Sequence, residues 1–102
     1  MYKVIYSFMQ RYLISYKFYD GKNQEKGGEM LVDWYEGGGP QNRPDGYEVH
    51  SWIFMHQNGK GYSVVSANSL ETIWRQWRPW RDFMDINIQP CADLDETVKF
   101  FK

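Results

Sequence analysis

Two histidines carry most of the reactive potential of this chain, and both fall in one stretch, "YEVHSWIFMH" at residues 47–56. Imidazole is the ordinary side chain that titrates near neutrality, so His50 and His56 are the candidate general bases. On a strand the two share a side but lie about 20 Å apart, too far to ligate one metal ion from one chain. Cys91 is the single cysteine, so neither an internal disulfide nor a structural zinc site is expected. It follows a proline and has no charged neighbour before Asp93, so nothing beside it would activate a thiol. Ser63, Ser66 and Ser69 sit in no nucleophile motif. Asp82 and Asp85 read as hydrogen-bonding groups at a helix end and a strand start. "EGGGP" (36–40) follows a helical segment and lacks the Lys-Ser/Thr of a phosphate loop, so it reads as a helix stop and turn. No motif names a reaction, and no cofactor or metal is expected.

The chain has 102 residues, room for one domain with a small core, and 19% of them are aromatic, far from the composition of a disordered tail. A net charge of −1 argues against a dedicated nucleic-acid binder, whose affinity rests on neutralising phosphates. The stretch "WRQWRPWRDF" (74–83) raises that possibility again, because tryptophans and arginines interleave in it. Placed on a helix over 70–84, the interleaving separates. Leu70, Ile73, Trp74, Trp77, Trp80 and Met84 share one sector, and Glu71, Arg75, Arg78 and Asp82 lie opposite. Arg81 falls inside the apolar sector, and Pro79 is expected to kink the helix. The tryptophans are therefore expected to be a packed stripe, not a stacking platform for bases. The opening "MYKVIYSFMQRYLISYKF" is broken by Lys3, Gln10, Arg11 and Lys17, which suits neither a signal peptide nor a membrane span. A soluble, cytoplasmic protein with no membrane partner is expected.

The elements that must position these residues follow from pattern. Residues 2–9 and 12–19 are rich in β-formers, and 47–56, 62–67 and 85–90 read as further strands. A helix is expected around Met30, Leu31, Trp34 and Tyr35, weakened in its first half by Gly27 and Gly28 and stopped at Gly37. "NSLE" (68–71) starts the second helix with Asn68 as its cap. Residues 1–11 form an N-terminal extension, 12–90 a core, and 91–102 a tail whose "VKFFK" end is expected to dock. The order strand, helix, strand, strand, helix, strand is the ferredoxin-like α+β plan, an antiparallel sheet with both helices on one face. Strict alternation in 47–56 puts Val49, Ser51, Ile53 and Met55 on one side and His50, Trp52, Phe54 and His56 on the other. With Val49, Ile53 and Met55 towards the helices, the open face gathers Lys17, His50, Trp52, Phe54, His56, Tyr62, Ser66 and Asn87. An exposed aromatic face of that kind calls for a second copy of the chain, sheet against sheet.

Several segments resemble a family of short bacterial and phage proteins of unknown function in the ferredoxin-like dimeric α+β barrel superfamily. They are "GGP" (38–40), "DGYEVHSW" with His56, "GKGYSVVSAN" (59–68) and, most specifically, "PWRDFMDINIQP" (79–90). The resemblance covers residues 12 to 97, and residues 1–11 precede the family's usual start. It implies the fold and a homodimer, and it implies no activity. The functional expectation is a ligand-binding or accessory module with a cleft between facing sheets. That cleft would hold a small apolar or aromatic ligand against Lys17, His50, Trp52, Phe54, His56 and Tyr62. The alternative is a small cofactor-independent monooxygenase or isomerase, as in some members of that superfamily, with His50 or His56 as base.

Overall fold

A computed structural model describes residues 9–102, so the strand read over 2–9 lies, but for its last residue, outside the described residues. Four strands follow: β1 (Gln10–Phe18), β2 (Tyr47–Met55), β3 (Lys60–Ala67) and β4 (Met84–Pro90). Helix α1 (Gly21–Glu36) joins β1 to β2, α2 (Leu70–Trp77) joins β3 to β4, and α3 (Leu94–Phe101) ends the chain. The sheet order β2-β3-β1-β4, with every neighbouring pair antiparallel, is the ferredoxin-like arrangement expected from the element order. β1 begins at Gln10, two residues before the expected start of the core. Among the described residues no helix is long and apolar enough to cross a membrane.

β1 sets the two faces by alternation. Ile14, Tyr16 and Phe18 are buried, while Lys17 between them is exposed. Across the ladder, Ile14 faces Ser63 and Ile88, and Tyr16 faces Gly61 and Ile86. This side carries the core, with Val65, Ala67 and Met84 from the neighbouring strands and Ile73 from α2. Full burial of a side chain such as Ile73 stabilises the fold by roughly 1.5–3 kcal/mol.

β2 departs from strict alternation. Val49 pairs with Val65, but Ser51 pairs with the adjacent Val64, so His50 is an extra residue in a β-bulge. One extra residue moves every later side chain to the opposite face. Trp52 and Phe54 therefore join Val49 on the helix side, opposite Ser63 and Gly61, and Ile53 and Met55 turn to the open face. The expected grouping of Trp52 and Phe54 with Lys17 and Tyr62 is thereby overturned. Two hydrogen bonds bracket the bulge: the Ser63 hydroxyl donates to the Ser51 carbonyl at 2.9 Å, and His50 Nε2 lies 2.6 Å from Ser66 Oγ.

The second helix also differs in detail. Ser69, not Asn68, is the cap, its hydroxyl accepting from the Thr72 amide. Asn68 accepts instead from the Thr72 hydroxyl. The α-helix stops at Trp77 and a single 3-10 turn, Arg78–Trp80, carries the chain past Pro79. Proline lacks the amide that would continue the helix, so the expected kink is a termination. The two-faced reading otherwise holds: Trp74, Trp77 and Trp80 are half-buried while Arg75 and Arg78 are exposed. Leu70 departs from it and is exposed. Arg75 pairs with Glu71 at 2.7 Å, an i,i+4 surface pair worth little to stability. Arg81 is exposed and makes no ion pair among the described residues. The tail is helical, capped by Asp93, and leaves Leu94, Phe100 and Phe101 exposed.

Helix α1 runs through Gly27 and Gly28, where a weakened first half was expected, with Asp20 capping its start. Gly27 is its buried residue, and a Cβ there would strike the ring of Phe18. Gly28, one step along, faces open space. The adjacent glycines should thus respond to alanine with opposite sign. Gly28→Ala should raise stability by about 0.5–1 kcal/mol through helix propensity alone. Gly27→Ala should lower it by about 1–3 kcal/mol through overpacking against Phe18. Urea unfolding of the two variants checks this, and equal effects would refute the close α1–sheet contact.

Candidate functional site

Gly27 is the buried residue of α1, packed against Phe18 of the sheet, and beside it lies a cleft of about 540 Å³. The floor is the helix side of the sheet, with Tyr16, Tyr47, Val49, Trp52 and Phe54. α1 supplies one wall through Gly28, Leu31 and Trp34, and Trp77 and Trp80 supply the other. The volume falls in the range of small-molecule sites, and the lining is aromatic and aliphatic with a few polar groups, as such sites usually are.

Tyr16 organises the floor. Its ring lies over Gly61 of β3, which has no side chain to block it, and reaches β2. There it stacks on Trp52 at 6.1 Å and on Phe54 at 6.2 Å, and it meets Trp77 at 5.2 Å. The hydroxyl donates to the Ile53 carbonyl at 2.8 Å. The walls are pinned by indole N–H groups. Trp80 donates to the Gly27 carbonyl at 3.1 Å, tying the 3-10 turn to α1, and Trp77 donates to the Tyr47 hydroxyl at 3.0 Å. Trp34 meets Trp80 edge to face at 6.4 Å, and the guanidinium of Arg43 lies 5.7 Å from the Trp34 ring.

The residues expected to form one site are divided by the sheet. Trp52 and Phe54 line this cleft. Lys17 and Tyr62 lie on the open face, beside a shallow polar pocket of about 210 Å³ shared with Lys60, Asp85 and Asn87. His50 occupies the bulge, exposed, and His56 lies exposed in the turn after β2, edge-on to Phe54 at 5.0 Å. Neither histidine lines the cleft. Tyr16, Tyr47, Trp34 and Arg43 line it and were not anticipated. The alternation Tyr12, Ile14, Tyr16, Phe18 against Leu13, Ser15, Lys17 was the available signal for Tyr16. Nothing local marks Trp34 or Arg43, which meet across a turn.

This is an α+β sheet-and-helix module with an aromatic cleft under its first helix. The chain belongs to the family described as Domain of unknown function (DUF3303), whose model matches residues 10–102. No curated protein and no solved structure matches the chain.

Burial pushes the Tyr16 phenol well above its ordinary value of 10.0. It also raises Tyr47, against the opposing pull of the Trp77 hydrogen bond and the Arg43 charge. A phenol raised in the folded state favours the neutral form there, so its stabilisation is complete below the unfolded value and is lost as pH rises beyond it. Stability should therefore fall as pH climbs above about 10. The double variant Tyr16→Phe, Tyr47→Phe should flatten that fall, although its stability at neutral pH is lower. Unfolding curves between pH 8 and pH 11, followed with tyrosinate absorbance, test this. An unchanged slope in the variant would refute it.

Proposed function

We propose that the protein is a binding or accessory module that holds a small, largely apolar or aromatic ligand in the cleft between α1 and the sheet. The observation that carries this is the cleft itself: about 540 Å³ lined by Tyr16, Trp34, Trp52, Phe54, Trp77 and Trp80. Aromatic rings held by mutual stacking and by indole hydrogen bonds present a pre-ordered apolar surface, so a ligand need not order it on binding. The exposed positions of His50 and His56, neither of which lines the cleft, favour binding over base catalysis. The neutral fluorophore N-phenyl-1-naphthylamine should bind saturably, one per chain, with enhanced emission. Gly28→Phe, which puts a ring into open space beside the cleft, should remove that binding while the fold persists by circular dichroism. Absence of binding to the wild type, or full binding to the variant, would sink the proposal.

A homodimer through the open sheet face is a second proposal, and the bulge changes which residues would form it. The apolar positions there are Leu13, Ile53, Met55, Tyr62 and Val64, paired across β1, β3 and β2. Ile53 is 55% exposed and Tyr62 36%, a placement that a second sheet would cover. Light scattering should give twice the chain mass for the wild type and the chain mass for Ile53→Asp. A monomeric wild type would end this reading.

A further inference from the structure

We infer that the ligand of the cleft is an organic anion, an aromatic or aliphatic body whose carboxylate is held between Arg43 and Tyr47. This deepens the proposal that the cleft is a ligand site and rests on it. The polar groups of the cleft differ in whether their hydrogen bonds are already used. Tyr16 donates to Ile53 and Ser63 to Ser51, and the indoles of Trp77 and Trp80 donate to Tyr47 and Gly27. Those groups hold the walls together.

Tyr47 is different. Its oxygen accepts from Trp77, and its own O–H has no acceptor among the described residues. Among the described residues Arg43 is the one cation that lines the cleft. It makes no ion pair and no side-chain hydrogen bond among the described residues. Its guanidinium carbon lies 5.7 Å from the centre of the Trp34 ring, a cation–π contact that uses none of its N–H donors. Arg43 and Tyr47 both line the cleft and lie four residues apart in the chain, at the turn that leads into β2. Glu36, the one carboxylate lining the cleft among the described residues, is exposed at the end of α1 and does not pair with Arg43. A guanidinium and a phenol donor lining one cleft suit the two oxygens of a carboxylate, and the tryptophan walls suit the body behind it.

The test is displacement of N-phenyl-1-naphthylamine from the full chain by a matched pair, 2-naphthoate and 2-naphthamide. These have similar shape and differ in charge. Naphthoate should displace the fluorophore at roughly tenfold lower concentration, the effect of a charge-assisted contact that water partly screens. Arg43→Gln should erase the preference, and Tyr47→Phe should reduce it, each read as the ratio of the two displacing concentrations within the same variant. Equal displacement by the two compounds in the wild type, or a preference that survives Arg43→Gln, overturns the inference and leaves the cleft reading in place. Failure of the fluorophore to bind the wild type is the separate result that removes the cleft reading itself.

Discussion

The ring of Tyr16 crosses a neighbouring strand at the one position where that strand has no side chain. Gly61 makes this possible, since a Cβ there would strike both the Tyr16 hydroxyl end and the Ile53 carbonyl. From that position Tyr16 bonds to the backbone of β2 and stacks on Trp52 and Phe54. The contact depends on a second local feature, the bulge at His50, which brings those two rings to the same face. Without the extra residue they would point away from the helices and Tyr16 would have no aromatic partners on β2. Glycine and bulge together convert the edge of a sheet into a rigid aromatic floor.

The cleft above that floor follows from how α1 is attached. A helix that packed along its whole length would fill the space with its own side chains. Here Gly27, the buried residue of the helix, admits Phe18, and the Trp80 indole fixes the same turn. Past that point Leu31 and Trp34 are only half-buried and Val32 and Tyr35 are exposed. The apolar surface left between helix and sheet is unusual for so short a chain, whose buried core consists of few residues. Within a family whose function is undefined, that unfilled volume is the feature most in need of a chemical explanation.

The open face of the sheet has a different character. Its β1 and β4 side is polar, with Ser15, Lys17, Asp85 and Asn87, while its β3 and β2 side carries Tyr62, Val64, Ile53 and Met55. The two faces of the molecule thus divide aromatic residues that alternation alone would have merged. One is an aromatic recess between elements of the same chain. The other is a broad surface of mixed polar and apolar character.

Much of the architecture was legible from pattern. Period-two runs marked the strands, Gly37 marked the end of the first helix, and the order of elements led to the ferredoxin-like sheet. The separation of tryptophans from arginines in 74–83 was equally readable, because helical geometry fixes it locally. The site was not. His50 carries no mark of being a bulge, since the extra residue is defined only by its pairing with β3. Its effect on Trp52 and Phe54 is a property of two strands together. Gly27 looked like a weakness of α1 until Phe18 stood against it. The tail's aromatic end suggested docking, yet its helix leaves Phe100 and Phe101 exposed. The sequence by itself determined which segments are strands and helices and which helix faces are apolar, because those depend on near neighbours in the chain. The tertiary structure alone decided which rings share a cleft, because pairing register and the close approach of distant residues set that.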